Sequence, residues 1–155
     1  QCVKGFVGCL PAVKRGGTII AFGSCDEGIG SDDYAGIMRA YGHRWREFLT
    51  AIQQPATFTK DQWQMQFHTR ALAHVGQERL HFVTHALTPA QLATLGVTAH
   101  PVEGAPFVAH ALQALIDKHV TPGATLAVLP EGPYCAPLLV DSGSSDLITP
   151  INTTA

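Results

Sequence analysis

Short apolar runs alternate with longer amphipathic stretches along this chain, and this alternation constrains the fold more than any other feature. Residues 18–22, 80–85 and 125–129 are the clearest runs, and glycines flank the first of them. A continuous apolar run with β-branched residues is typical of a strand that is buried on both faces of a parallel sheet. Residues 98–101 are a shorter strand candidate, and residues 136–140 are a candidate edge strand.

Helical patterns fill the intervals in the first third of the chain. Residues 2–13 repeat apolar side chains at the spacing of one helix face. Ser31 can cap the N-terminus of a second helix, whose apolar face continues until Pro55 ends it. Gly42 lies within this stretch, and we expect it to divide the stretch into two helices.

Capping motifs define the helices that follow. Thr59 and Gln62 have the spacing of a capping box, which predicts a helix that starts there and ends at Gly76. A second capping box begins at Thr88, with proline at the first helical position. Residues 107–116 then repeat apolar side chains along one face of a further helix.

Strands that alternate with helices predict an α/β fold, here a three-layer Rossmann-like domain with a mostly parallel sheet. The chain has 155 residues, a length typical of a single domain. We assign residues 1–140 to this domain. The remaining residues, 141–155, are rich in Ser and Thr and are expected to form a flexible tail.

Charge and cysteine content exclude several classes of function. Only 14% of the residues are charged, against about 25% in a typical soluble domain. The net charge of −2 offers no basis for binding nucleic acid or an acidic membrane, and no apolar run approaches the roughly 20 residues of a membrane span. The four cysteines form no CxxC pair, so we expect a reducing, cytoplasmic location. Low charge favours either an unusually apolar fold or a surface that a partner covers.

Metal and nucleotide sites receive little support from the residue spacing. Cys25 is followed by two carboxylates, but no His lies at ligand spacing. His81 and His85 share one side of a strand without a third ligand, so we predict no metal site in this chain. The glycine-rich loop 23–31 leads into a helix and could hold an anion. It lacks the third glycine of a dinucleotide fingerprint and a Walker lysine, which favours a tight strand-to-helix turn.

Gln1 and Lys4 are three residues apart and project from one face of a helix. They begin an ordered series of short motifs that resembles the C-terminal domain of the nickel-dependent lactate racemase family. The resemblance covers the first half of the chain well and the later βα units only in general pattern. Its motifs are Gln1-x-x-Lys4, Val13-Lys14-Arg15-Gly16-Gly17-Thr18-Ile19-Ile20, Cys25-Asp26-Glu27-Gly28-Ile29-Gly30-Ser31 and Asp61-Gln62-Trp63-Gln64.

The resemblance implies an enzyme of two domains with its active site in the cleft between them. The N-terminal domain of such an enzyme carries the nickel-pincer nucleotide, a His ligand to nickel and the paired catalytic His residues. The C-terminal domain contributes a Gln and a Lys from one helix, matched here by Gln1 and Lys4, and a Trp beside the substrate, matched by Trp63. The chain would then be a fragment whose partner is the N-terminal catalytic domain of the same protein.

The implied reaction is the racemisation or epimerisation of a small 2-hydroxy acid by hydride transfer to the nickel-pincer nucleotide. In this interpretation Lys4 holds the substrate carboxylate through a charge-assisted hydrogen bond. Gln1 orients an oxygen of the substrate or intermediate, and Trp63 excludes water from the closed cleft. We expect the isolated chain to be an inactive part of this isomerase.

Two other classes of function remain open at this stage. The chain could be a non-catalytic binding or interaction module that keeps the fold. It could also be an unrelated Rossmann-like nucleotide-binding enzyme, although the incomplete glycine pattern disfavours nucleotide binding. For Trp63 the alternative to a substrate contact is packing in the core on its helix face.

Overall fold

A parallel three-stranded sheet forms the centre of the computed structural model, which describes residues 1–54, 56 and 58–139. The strands are β1 (Ile19–Phe22), β2 (Leu80–Thr84) and β3 (Thr98–Pro101), in the spatial order β1-β2-β3. All pairings are parallel, with Ile20 opposite His81. Parallel neighbours need crossover connections, and helices supply them here. The α/β class with a parallel sheet is therefore confirmed.

Six α-helices surround this sheet in the part of the chain that the structure describes. They follow the predicted order, although the first helix ends earlier than predicted, at Gly8, and continues as a 3-10 turn over Leu10–Ala12. The helices are α1 (Cys2–Gly8), α2 (Asp32–Tyr41), α3 (Trp45–Ala51), α4 (Gln62–Val75), α5 (Pro89–Leu92) and α6 (Ala105–His119). Among the described residues, none of the helices combines the length and apolar character needed to cross a bilayer.

The two faces of the sheet are covered by different helices. Side chains at alternate positions of the strands, such as Ile19 and Phe82, join the larger core with α1, α2 and α4. The intervening positions, such as Val83, join a smaller core with Val108 and Leu115 of α6. Because side chains of a strand alternate between faces, this division produces three layers: helices, sheet and helix.

Local capping residues determine where several helices begin and end. The Ser31 hydroxyl accepts a hydrogen bond from the Tyr34 N–H at 3.2 Å and caps α2, as predicted. Thr88 forms the complete predicted capping box at α5. Gly42 ends α2 and separates it from α3. A Cβ at this position would overlap the Thr94 carbonyl oxygen, so the close approach requires glycine. Gly76 ends α4, in agreement with its predicted role as a helix stop.

The start of α4 differs from the prediction. Its N-cap is Asp61 rather than Thr59, and the helix begins at Gln62. Only half of the expected capping box forms: the Thr59 N–H donates to Gln62 Oε1 at 2.8 Å. The backbone of Asp61 is left-handed, with φ of 62° and ψ of 7°, so the chain turns sharply immediately before the helix.

The predicted strand at residues 125–129 is wrong. These residues form no strand, and Val128 is 73% exposed. The chain leaves α6 and next packs at a 3-10 turn, Gly132–Tyr134, against α1. A Cβ on Gly8 would lie 3.1 Å from the Gly132 carbonyl oxygen, so glycine allows this close approach. Residues 125–129 bridge the two elements and have no ladder partner among the described residues.

The predicted edge strand at residues 136–140 is also wrong for the part that the structure describes. Residues 136–139 form no strand, and both Leu138 and Leu139 are exposed. Apolar composition alone does not place a segment in a sheet, because a strand also needs a neighbouring backbone to pair with. Val140 and the predicted flexible tail at residues 141–155 lie outside the described residues.

Candidate functional site

The carboxyl end of β1 meets the N-terminal end of α1. Gly23 follows β1, and its N–H donates to the Val83 carbonyl at 3.1 Å. A Cβ on Gly23 would overlap Cys2 Sγ, so only glycine allows α1 to approach the strand end this closely. Ligands of parallel α/β sheets gather at the carboxyl ends of the strands. This edge of the sheet is therefore the expected position of a functional site.

Lys4 and Trp63, which are distant in sequence, are brought together at this edge. Helix α1 packs against α4, and Lys4 Nζ lies 5.9 Å from the centre of the Trp63 ring. This distance is within the range of a cation–π interaction. Trp63 is 42% exposed, and its ring meets the ring of Phe67 edge-on at 5.5 Å. Trp63 is therefore a surface residue with a supported ring, and packing in the core does not account for it.

Gln1 lies one helical turn before Lys4. It occupies the N-cap position of α1, and its carbonyl accepts the Lys4 N–H at 2.9 Å. Its side chain is exposed and makes no capping hydrogen bond. The structure thus places Lys4 beside Trp63, and it places Gln1 on the adjacent turn with its side-chain amide exposed.

A short hydrogen bond joins the two elements that flank this edge. The Ser31 hydroxyl donates to Asp61 Oδ2 at 2.6 Å and links the cap of α2 to the cap of α4. The pKa of the Asp61 carboxyl is lowered, mainly by this hydrogen bond and further by contacts with Trp63 and Gln64. Asp61 therefore carries its negative charge in the folded protein well into the acidic range.

Two thiols, those of Cys2 and Cys25, lie at the carboxyl end of β1. The Cys25 thiol donates a hydrogen bond to Cys2, which lowers the pKa of Cys2 to about 6, and the same contact together with burial raises the pKa of Cys25. Thr84 donates to the Ser24 carbonyl at 3.0 Å and fixes the loop that carries Cys25. The strand end thus has two thiols in contact, of which Cys2 is the more acidic.

A buried polar pair lies deeper between α2 and α4. The Tyr34 hydroxyl is 3.5 Å from His68 Nδ1, and the edge of the Phe6 ring meets His68 at a centroid distance of 5.7 Å. Burial raises the pKa of Tyr34 and lowers the pKa of His68 to about 4. Both side chains are therefore neutral at pH 7 and form part of the packing between α1, α2 and α4.

The opposite face of the sheet has a separate histidine cluster. His81 Nδ1 is 3.0 Å from His100 Nε2, and the His81 and His119 rings are 4.4 Å apart. His85 lies apart from this cluster, with its Nδ1 4.0 Å from Asp26 Oδ1. Within the part of the chain that the structure describes, no three His, Cys, Asp or Glu side chains are arranged to hold a metal ion.

The sequence alone did not reveal two contacts of this site. Sequence reasoning considered Ser31 only as a helix cap and Asp61 only as part of a motif, and the bond between them spans 30 residues. It considered Cys25 only as a metal ligand and did not connect it with Cys2. The short glycine-rich stretches beside both cysteines were the available indication, because glycine commonly marks a close approach of backbone to another group.

Comparison with known protein families identifies the family of this chain. The family model described as the lactate racemase C-terminal domain matches residues 1–133. The chain therefore belongs to the lactate racemase C-terminal domain family. This match removes the alternative of an unrelated nucleotide-binding enzyme. No curated protein and no solved structure gives a significant match to the chain.

Proposed function

We propose that this chain is the C-terminal domain of a 2-hydroxy-acid racemase or epimerase. Gln1, Lys4 and Trp63 contribute to substrate binding in a cleft shared with an N-terminal domain of the same protein. The family match over residues 1–133 supports the class of enzyme. The observation that carries the site is the approach of Lys4 Nζ to within 5.9 Å of the Trp63 ring centre.

Lys4 suits the carboxylate of a 2-hydroxy acid. Among the described residues, no Asp or Glu makes an ion pair with Lys4. A cation without an internal partner can give a substrate carboxylate a charge-assisted hydrogen bond. Its position over the indole face restricts the ammonium group, so less conformational freedom is lost when the substrate binds.

Gln1 and Trp63 complement this carboxylate site. The Gln1 amide has both a donor and an acceptor group, so it can bind the substrate hydroxyl and also the 2-oxo group that replaces it. The exposed Trp63 ring offers a rigid apolar wall for the small substrate. When a second domain closes over this edge, the ring excludes water and strengthens the electrostatic contact of Lys4.

The cofactor implied by the family does not fit the donor groups of this chain. The described residues contain no ligand set for nickel. The histidines on the far side of the sheet, His81, His100 and His119, contact one another. We therefore assign the nickel-pincer nucleotide, which would accept and return the hydride, to the N-terminal domain. The residues of this chain bind, orient and shield the substrate.

Replacing Lys4 in the two-domain protein tests this proposal. In the cofactor-loaded enzyme, Lys4→Ala is expected to lower kcat/KM by about 10–100-fold, since hydrogen bonds to charged groups contribute about 1.5–3 kcal/mol. The interconversion of D- and L-lactate, and of other 2-hydroxy acids, is followed by chiral chromatography. Lys14→Ala is the matched control, because this exposed lysine lies beyond the other end of α1.

Three results would contradict the proposal. The first is an unchanged rate in Lys4→Ala, which would remove Lys4 from the site. The second is a folded, cofactor-loaded two-domain protein without activity on any 2-hydroxy acid, which would favour a non-catalytic binding module. The third is racemisation by the chain alone, without an N-terminal domain or nickel cofactor.

A further inference from the structure

We infer that a cleft between α1 and the second half of α4 is a binding site for a small organic anion with an apolar group. The anionic group, a carboxylate or a phosphate, contacts Arg15 and Arg70, and the apolar group contacts Val7, Leu10 and Pro11. The inference is independent of the proposed function, because none of these residues belongs to the proposed substrate site.

The cleft has the size and the mixed lining of a small-molecule site. Its volume is about 470 Å³, within the range of about 300–1,000 Å³ that is typical of ligand sites. Part of the lining is apolar and comes from the end of α1 and the 3-10 turn after it. The rest comes from α4, with Arg70, Ala73 and His74, and from Arg15 on the loop before β1.

The charge of this cleft is positive and is not compensated within the protein. Arg15 and Arg70 line the cleft, and no described Asp or Glu does. In the part of the chain that the structure describes, neither arginine makes an ion pair with a carboxylate. The guanidinium group presents its N–H donors in a planar fork that matches the oxygens of a carboxylate or a phosphate. The chemistry of the cleft therefore favours an oxyanion.

Two hydrogen bonds hold the loop that carries Arg15 against α4. His74 Nε2 donates to the Val13 carbonyl, and the Gly16 N–H donates to the His74 carbonyl at 2.9 Å. The backbone is thus fixed on both sides of Arg15, so less conformational freedom is lost when a ligand binds. The Gly16 bond also occupies a carbonyl at the C-terminal end of α4, where free carbonyls would repel an anion.

The cleft is a second site, separate from the Lys4–Trp63 pair on the same two helices. Val7 comes three residues after Lys4 on α1, and Arg70 comes seven residues after Trp63 on α4. At 1.5 Å per residue, Arg70 lies about 10 Å further along the axis of α4. A small anion bound between the arginines is therefore a different molecule from the proposed substrate.

Titration with phenyl phosphate, followed by NMR chemical shifts of the chain, tests the site. The amide signals of Arg15, Gly16 and Ala73 are expected to shift, while the indole signal of Trp63 stays in place. Inorganic phosphate is expected to bind about tenfold more weakly, because it has no apolar group to bury in the cleft. Phenylacetate carries a carboxylate on the same ring, so its affinity relative to phenyl phosphate shows which oxyanion the cleft prefers.

Substitution of the arginines tests the assigned contacts. Arg15→Ala and Arg70→Ala are each expected to weaken the binding of phenyl phosphate about tenfold or more, since each removes charged hydrogen bonds. Arg39→Ala is the matched control, because it removes an exposed arginine of α2 that does not line the cleft. Lys4→Ala should also leave the affinity unchanged, which separates this cleft from the proposed substrate site.

Four results would overturn the inference. The first is the absence of shifts with all three compounds, and the second is a set of shifts centred on Lys4 and Trp63. The third is equal weakening by Arg39→Ala, which would indicate a general attraction between charges. The fourth is a loss of stability without loss of binding in Arg15→Ala and Arg70→Ala, which would limit both arginines to a structural role at the end of α4. Racemase activity in the two-domain protein bears only on the proposed function.

Discussion

Strand β2 and residues 125–129 have almost the same sequence character and opposite structures. Both are five-residue runs dominated by apolar and β-branched side chains. All five residues of β2 are buried, with Val83 at 0% exposure. Residues 125–128 are exposed, and Val128 reaches 73%. The composition of a short run therefore does not determine whether it is a strand.

The neighbours of the two segments account for the difference. Strand β2 pairs with β1 on one side and with β3 on the other, and helices cover both of its faces. Residues 125–129 connect α6 to the turn at Gly132–Tyr134 and pair with no described strand. Strand propensity measures how well a side chain fits a pleated, half-buried surface, and it acts only where such a surface exists.

The largest expected effect compares one valine in each segment. Val83→Ser should lower the free energy of unfolding by about 3–5 kcal/mol, because it removes two buried methyl groups, leaves a cavity and buries a hydroxyl. Val128→Ser should change it by less than about 0.5 kcal/mol, since that side chain already contacts water. Urea denaturation followed by circular dichroism measures both values.

The control for this pair is the dependence of unfolding on denaturant. Both variants should keep the m-value of the parent chain, which shows that the native and unfolded states expose the same surface. A destabilisation of several kcal/mol in Val128→Ser would mean that residues 125–129 are buried in solution. The contrast between the two segments would then be wrong.

The second-largest expected effect is a loss of folding stability in acid, caused by His81 of β2. Burial, with additional repulsion from His119 and His100, lowers the pKa of His81 to about 4, and His81 is only 3% exposed. The unfolded chain binds a proton below about pH 6.5, so stability should fall as the pH drops from 6.5 to 4 and level off below that. For a single histidine the loss amounts to about 2–3 kcal/mol.

Substitution of His81 isolates this contribution. His81→Gln should reduce the pH dependence of the unfolding free energy between pH 6.5 and 4 to about half, because buried His68, whose pKa is also lowered to about 4, still contributes over the same range. The matched control is His110→Gln, which replaces an exposed histidine on α6 and should leave the slope of the parent chain intact. An equal slope in His81→Gln and the parent chain would show that His81 is accessible to protons in the native state.

The smallest of these effects concerns the end of β2. Thr84 is fully buried, and its hydroxyl donates to the Ser24 carbonyl at 3.0 Å. Thr84→Val keeps the shape of the side chain and leaves that carbonyl without its partner, which should cost about 1–2 kcal/mol. Thermal unfolding measures the loss of stability. The control is Thr50→Val, which replaces an exposed threonine of α3. A neutral Thr84→Val would show that water replaces the bond.

Much of the architecture was predictable because its causes are local. The caps at Ser31 and Thr88, the division at Gly42 and the stop at Gly76 each depend on residues within one turn of the helix end. The α/β class follows from the alternation of short apolar runs with stretches that have the hydrophobic period of a helix. The true cap of α4 was not predictable in this way, because Asp61 owes its position partly to Ser31, which lies on another element.

The candidate site was predictable only in part. The spacing of Gln1 and Lys4 indicated a shared helix face, and the family resemblance indicated Trp63 as their neighbour. The glycines near both cysteines indicate a close approach without identifying the Cys2–Cys25 contact, and no local pattern indicates the bond from Ser31 to Asp61. These contacts depend on how α1, α2 and α4 meet at the end of β1, and such distances are not encoded in any local pattern.

The sequence by itself determined the helices, most of their ends and the family of this protein, since periodicity, capping and short motifs are local properties. The tertiary structure alone decided which apolar runs became strands and which polar side chains met. A strand needs a paired backbone, and a hydrogen bond needs two groups within about 3 Å. Both conditions are met only after the packing of helices on the sheet has placed distant residues side by side.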